Sequence, residues 1–257
     1  VPLGAGLSSS ASFEIALLRA LRRAFDLQID DTRLARLGQE AENDFVGAKT
    51  GIMDQMAASL APTGAALFLD TQELTYETVA LPTSVEICVV NSGISHQNAS
   101  GGYTRRRQEC EQGARLLGVS SLREVSIESL DSLTLLPQMP LEIAKRVRHV
   151  VTENARVHQF VQAMRENDFP TMGRLLNEGH LSLSQDFEVS LPEIDLLTDL
   201  LCAQAGVLGA RLTGGGFGGS VVALAQKGLG AHAAAEAAQE YARQTGQRPR
   251  VLLPLSS

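Results

Sequence analysis

Residues 2–11 read Pro2-Leu3-Gly4-Ala5-Gly6-Leu7-Ser8-Ser9-Ser10-Ala11 and run into a stretch of helical periodicity. Glycines let backbone N–H groups turn inward, because they accept φ values that other residues avoid. The start of the following helix adds unpaired N–H groups and a positive dipole end. Together these make a cradle for an anion such as a nucleotide's phosphates. Three serines bring hydroxyls able to cap the helix, bind phosphate or ligate magnesium. The run is neither a G-x-x-x-x-G-K-[ST] loop nor a G-x-G-x-x-G fingerprint. It also reads as a flexible loop ended by a serine N-cap. A second cluster, Gly214-Gly215-Gly216-Phe217-Gly218-Gly219 after Thr213, reads as a tight hairpin turn or as backbone passing close to a ligand. So many glycines are costly in chain entropy, which favours the second reading.

Two carboxylates accompany these loops. Gly51-Ile52-Met53-Asp54-Gln55 opens a helix, so Asp54 reads first as a cap. Glu42 reads as a solvated residue of the preceding helix. A magnesium-nucleotide enzyme would, however, need carboxylates near its phosphates. Tyr103-Thr104-Arg105-Arg106-Arg107-Gln108-Glu109-Cys110-Glu111 reads as a charged helix start with i,i+4 pairs. His96 and His180 have no second ligand at a helpful spacing, and read as hydrogen-bonding residues of the fold.

The elements that must position these groups follow from periodicity. Residues 11–25 predict a helix whose apolar face is Phe13, Leu17, Leu21 and Ala24, widened by Leu18 and Phe25. Asp30 and Asp31 cap a second helix running to about Phe45, and a third spans from near Asp54 to before Pro62. Residues 65–70, 74–81 and 85–91 predict strands. Pro82-Thr83-Ser84 marks the junction of two domains, 1–82 and 83–257. After a polar loop at 92–102, helices are expected at about 104–117, 141–165, 169–184 and 192–205. Strands at 207–212 and 220–225, a helix at 231–245 and a last strand at 250–253 complete the chain. The mixture predicts α/β and α+β architecture.

Composition narrows the class. Apolar residues make up 44% and charged residues 20% of 257, as in a globular protein. The net charge of −7 argues against a nucleic-acid partner but not against ATP, which local backbone and cations can hold. Cys88, Cys110 and Cys202 form no C-x-x-C pair, which points away from a disulfide framework or a zinc site and towards a reducing cytoplasm. No apolar run reaches the length of a membrane span. A chain that opens at Val1, inside a phosphate loop, is expected to have lost upstream sequence.

Singly these signals are modest, but their order resembles that of the GHMP kinases. Residues 2–11 resemble the family's second, phosphate-binding motif, and Leu212-Thr213 with Gly214–Gly219 its third. Glu42-Asn43-Asp44-Phe45-Val46-Gly47 with Gly51–Gln55, Asn91-Ser92 through Cys110, and His180 through Ser190 narrow the likeness to galactokinases. The family fold implied is a ribosomal-protein-S5-like N-terminal domain, here partial, and a ferredoxin-like C-terminal domain, with the active site between them. The activity implied is transfer of the ATP γ-phosphoryl group to the C1 hydroxyl of α-galactose, the first step of galactose catabolism.

The resemblance also implies roles. Gly4, Gly6, Leu7, Ser8, Ser9 and Ser10 would hold the phosphates, and Ser10 with Glu42 would position Mg2+. Asp54 falls on the catalytic aspartate, as base or as electrostatic anchor. Gly51, Asp54 and Tyr103 fall in the sugar pocket, and Gly215 and Gly216 beside the nucleotide. The partners implied are ATP and galactose; charge and hydropathy point to no nucleic acid or membrane partner, and with no readable interface signature a cytoplasmic monomer is expected. The family's first motif, with an arginine that partners the aspartate, is expected upstream of Val1, so the 257-residue chain alone is expected to be inactive. Gly101-Gly102 departs from a Ser-Glu pair carried by many relatives. Alternatives are a kinase of N-acetylgalactosamine or arabinose, a non-catalytic ATP- and sugar-binding regulator, or a remnant of a once-complete gene. The intact Ser10-Ala11 and Asp54 favour the enzyme.

Overall fold

The computed structural model describes residues 4–47, 50–95, 99–132 and 136–253, so Pro2, Leu3 and His96 lie outside the described residues. The chain divides into two compact units, Val1–Pro82 and Thr83–Ser257.

The first unit holds α1 (Ser9–Ala24), α2 (Asp31–Glu40), α3 (Met53–Leu60) and the antiparallel pair β1 (Ala65–Leu69) and β2 (Tyr76–Ala80). Asp30 caps α2 by accepting the Arg33 N–H at 2.7 Å. The helix expected to run to Phe45 stays α-helical only to Glu40, then passes into a π-helical turn, Ala41–Val46, closed by Gly47 at φ 80°. Such turns recur at functional sites because they re-aim side chains. Ala35, Ile52 and Met56 form one buried cluster of this unit, with Leu60, Leu67, Leu69 and Leu74 packed around them.

The apolar face expected for α1 is corrected by the structure. Ala11 and Ile15 are buried, whereas Phe13, Leu17, Leu21 and Phe25 are exposed, Phe13 by 68% and Phe25 by 69%. Polar ties set the rotation of the helix. Arg19 donates to the Ser59 carbonyl at 2.6 Å, and Arg22 donates to the Ile29 carbonyl at 2.8 Å and to Asp31 at 2.9 Å. These bonds turn the Ala11–Ile15 side towards α2 and α3.

The second unit runs β3 (Val85–Asn91), α4 (Ala99–Leu117), α5 (Ile127–Ser132), α6 (Leu141–Glu166), α7 (Phe169–Gln185), α8 (Pro192–Cys202), β4 (Val207–Thr213), β5 (Ser220–Gln226), α9 (Gly230–Thr245) and β6 (Arg250–Leu253). Its sheet has the order β4-β5-β3-β6 and is antiparallel throughout. Alternate residues of the strands face the core: Cys88 and Val90, Ala210 and Leu212, Val221, Ala223 and Ala225. Ile194, Leu197 and Leu201 of α8 and Ala234, Ala237 and Tyr241 of α9 close over them. The alanines of α9 let its backbone approach the sheet. A second core, Ala114, Leu122, Leu130, Ile143, Val147 and Val151, joins α4, α5 and α6. The four-stranded antiparallel sheet covered by helices is the ferredoxin-like arrangement expected for this unit.

The loop expected to run to Gly102 ends earlier, because α4 begins at Ala99 and carries Tyr103 within it. Two glycines in the first turn of a helix weaken it. Gly102 has a packing reason: a Cβ there would stand 2.5 Å from the Phe217 ring. The bare backbone is the seat of that ring. Among the described residues no helix is long and apolar enough to cross a membrane.

Candidate active site

In the first unit, Gly4 and Gly6 both sit at φ 70°, and Ser8 is held at φ 55° in the left-handed region. The serine-cap reading is not realised at Ser8, whose side chain makes no cap hydrogen bond. The helical ladder starts with the Ser12 N–H donating to the Ser8 carbonyl at 3.0 Å. The N–H groups of Ser9, Ser10 and Ala11 precede that ladder, and a helix start of this kind suits an anion.

Glu42 is not a solvated face residue. It sits on the π-helical turn and is 9% exposed. Ser10 Oγ donates to its Oε1 at 2.8 Å, while Gln55 Nε2 and Thr50 Oγ1 donate to its Oε2 at 2.7 and 3.2 Å. The turn thus ties the serine loop, the residue before Gly51 and the start of α3 to one carboxylate. Asp54 lies in the first turn of α3, but the cap position belongs to Ile52. Among the described residues Asp54 makes no hydrogen bond or ion pair, unlike Glu42. Gly51 is exposed, with open space where a Cβ would stand. Burial raises the Glu14 carboxyl above its ordinary range and the Glu42 charge raises it further, against the opposing Gln55 amide.

In the second unit the glycine run is a six-residue connection between β4 and β5, whose last pair is Thr213↔Ser220. It is pinned at several points. The Phe217 N–H donates to the Val189 carbonyl at 2.7 Å and the Gly219 N–H to the Ile94 carbonyl at 3.1 Å. The Ser92 hydroxyl and N–H both donate to the Gly219 carbonyl, at 2.8 and 2.9 Å. Gly216, at φ 82°, lies so close to Val189 that a Cβ would fall 2.5 Å from its carbonyl oxygen. Gly214 and Gly215 remain exposed at the tip. The Tyr103 ring stands beside Gly215, 3.8 Å from where a Cβ would be. The fold therefore joins Tyr103 with Gly215 and Gly216 in one unit. It joins the serine loop with Glu42, and α3 with both Asp54 and Glu42's partner Gln55, in the other.

The Tyr103–Glu111 stretch is more than a charged helix start. Arg106 donates to Glu109 Oε2 at 2.7 Å and to the Glu188 carbonyl at 3.2 Å. Arg146, 1% exposed, donates to Glu109 Oε2 and to Glu188 Oε2, each at 2.7 Å, and also to the Asp186 carbonyl. Lys145 completes the cluster with a 2.6 Å bond to Glu188 Oε1. This network grips the 186–188 turn, and the next residue, Val189, holds the glycine loop. Nothing in the spacing of Arg146 along α6 announced it. Gln55 and Glu188 stood inside stretches singled out in the sequence, but without a role.

His180 accepts the Leu212 N–H on Nδ1 at 3.2 Å, and its Nε2 lies 3.1 Å from Asp195 Oδ1. Asp195 also accepts from Ser184 and Ser190, at 2.9 and 2.6 Å. His149 stacks on Phe187 with centroids 4.4 Å apart.

These environments predict acid sensitivity. Burial pushes His149 down from 6.5 to about 4, and the Lys145 and Arg146 hydrogen bonds push Glu188 down from 4.5 to about 2. Both groups have depressed values in the folded state. Their stabilisation is complete above the unfolded values and is lost as pH falls through the folded ones. The denaturation midpoint of the second unit should drop first between pH 6.5 and 4, then again between 4.5 and 2. Glu188→Gln should shrink the lower step, which Glu109, Glu153 and Glu240 share, and leave the upper one; an unchanged profile in that variant would contradict the assignment.

Comparison with known proteins gives this arrangement a family. The model of the GHMP kinases N terminal domain matches residues 1–61, and that of the GHMP kinases C terminal domain matches residues 160–244. A galactokinase of Thermotoga neapolitana is 45% identical over 229 residues, covering 89% of this chain and 64% of the relative. The chain thus spans less than two thirds of the length of the curated relatives it matches. The crystal structure of Lactococcus lactis galactokinase complexed with galactose superposes with a TM-score of 0.92 at 34% identity, covering 98% of this chain and 66% of that one. The mevalonate kinase of L. major, at 21% identity and a TM-score of 0.59 over 90% of this chain and 61% of its own, shares the fold. The chain belongs to the GHMP kinase family, with galactokinases among its relatives.

Proposed function

We propose that this chain forms part of an ATP-dependent galactokinase, which transfers the γ-phosphoryl group of ATP to the C1 hydroxyl of α-galactose. The observation that carries the reading is the 2.8 Å bond from Ser10 in the glycine–serine loop to the carboxylate of Glu42. It sets an oxygen pair at the start of a helix whose N–H groups suit phosphate. Gly4, Gly6, Leu7, Ser8, Ser9 and Ser10 form the phosphate cradle, and Gly215 and Gly216 serve the nucleotide. Gly51, Asp54 and Tyr103 receive the sugar. The reading places the enzyme in the cytoplasm, as a monomer.

Mg2+ fits the donors present. The ion prefers hard oxygens and is bound through one or two carboxylates plus substrate phosphates. Glu42 and the Ser10 hydroxyl supply such oxygens. Among the described residues no group of three or more His, Cys, Asp or Glu side chains is placed to hold a metal, so phosphate would complete the shell. When bound, the ion supplies neutralisation of phosphate charge. The protein's own contribution is positioning: helix N–H groups fix the phosphates, and Asp54 orients the hydroxyl through its charge or takes its proton.

The test is sugar-dependent ADP release by the product of the complete reading frame that contains these residues. The panel is galactose, N-acetylgalactosamine, arabinose and glucose. Turnover on galactose supports the reading. Preference for another sugar reassigns the acceptor, and no turnover on any sugar overturns the kinase reading in favour of a binding protein.

A further inference from the structure

Gln55 is 0% exposed, follows Asp54 directly, and takes no part in the roles assigned above. A buried amide must be held on both ends or it costs free energy. Its Nε2 donates to Glu42 Oε2 at 2.7 Å, and its Oε1 has no hydrogen-bond partner. The amide is therefore retained despite an unsatisfied oxygen, and its 2.7 Å bond goes to the carboxylate proposed to meet the metal, with the Glu14 carboxyl beside it.

The packing around it is equally specific. Gly38 interrupts α2, where alanine would be better by about 1 kcal/mol in a helix interior. A Cβ there would stand 3.2 Å from Gln55 Cγ, 3.5 Å from Glu14 Oε2 and 3.5 Å from Ile15 Cδ1. Gly38 is the point where α1, α2 and α3 crowd together, and its missing side chain is the seat of the Gln55 stem. With its stem held there, the amide is confined between the Glu42 and Glu14 carboxyls. Thr50 supports the same carboxylate oxygen from the segment before α3.

We infer that Gln55, assisted by Thr50, is a positioning residue that locks the Glu42 carboxylate in the orientation used for the divalent cation. The inference rests on the metal role proposed for Glu42. Ser10 and Gln55 hold opposite oxygens of the carboxylate, so its plane is set before any ion arrives. A pre-set ligand spends no free energy on ordering when the metal binds, and outer partners of this kind change metal affinity by about 10- to 100-fold.

The experiment measures ATP affinity by calorimetry with and without Mn2+, the gain on adding the ion reporting how well the protein holds it. It compares the parent protein with Gln55→Met, Thr50→Val and Glu42→Gln, each first shown by circular dichroism to be folded. Methionine keeps the length and bulk of glutamine and removes the donor. Gln55→Met is expected to weaken Mn2+ by about tenfold, with ATP affinity in the absence of metal unchanged; Thr50→Val should show a smaller loss of the same kind. If Glu42→Gln weakens Mn2+ while Gln55→Met and Thr50→Val do not, the positioning role is wrong and the metal site stands. If Glu42→Gln has no effect, or the parent holds no Mn2+, the metal site itself is wrong and the inference falls with it. Should Gln55→Met not fold, Thr50→Val alone decides, since its side chain lies at the margin of the core.

Discussion

Asp54→Asn should reduce sugar-dependent turnover by about 10²- to 10⁴-fold, the range over which a positioned acid–base group acts. The same substitution should leave the protein folded. Asp54 makes no hydrogen bond or ion pair among the described residues and is not the cap of α3, so the fold has no use for its charge. The KM for ATP should change little, because the proposed phosphate cradle lies on the serine loop and α1 rather than on Asp54. An Asn retains shape and one acceptor oxygen but can neither take a proton nor offset charge. Near-parental kcat in Asp54→Asn would remove this residue from the chemistry altogether.

The largest effect on stability is expected from Arg146→Leu. The guanidinium is 1% exposed and bonds two carboxylates and a backbone carbonyl. Breaking a buried charge pair costs about 3–5 kcal/mol where it strands a charge; here Glu109 keeps Arg105 and Arg106 and Glu188 keeps Lys145, so the loss is expected towards the lower end of that range. Glu109, 8% exposed, would keep Arg105 and Arg106 but lose its most deeply buried partner. Its carboxyl resists the burial that would raise it only because Arg146 and Arg105 hold it below the ordinary range. Urea denaturation of the second unit should show the loss. Arg146→Leu combined with Glu109→Leu should recover part of it, since an apolar replacement of both partners removes the stranded charge. The double variant falling by the sum of the single losses would mean the residues do not act as a unit. A functional consequence should accompany the structural one. The 186–188 turn holds Val189, whose carbonyl anchors Phe217 of the glycine loop, so a loosened turn should weaken nucleotide binding even at temperatures where the unit remains folded.

How far these sites could be read in advance depended on the kind of signal each residue leaves. Asp30 sits before an amphipathic run, and capping acts over three residues, so its role was legible. So were the glycine runs, because backbone that must adopt positive φ restricts residue type locally. Asp54 and Glu42 were ambiguous by pattern. One read as a cap and the other as a surface acid, and the resemblance to galactokinases, not the spacing, singled them out. The apolar stripe of α1 misled, since helical periodicity reports that a face is apolar but not that anything in the chain covers it.

The sequence by itself determined where helices and strands form, where the chain turns on glycine, and which family order the motifs follow. Each of those rests on interactions between residues a few positions apart. Only the tertiary structure decided that Glu42 is buried, because the π-helical turn re-aims it towards donors 32 positions before it and 13 after it. Only the tertiary structure joined Arg146 to Glu109 and Glu188, 37 and 42 positions away, or set the Phe217 ring on Gly102. Charge pairing and close packing act through space, and their sequence spacing carries no period from which they could be read.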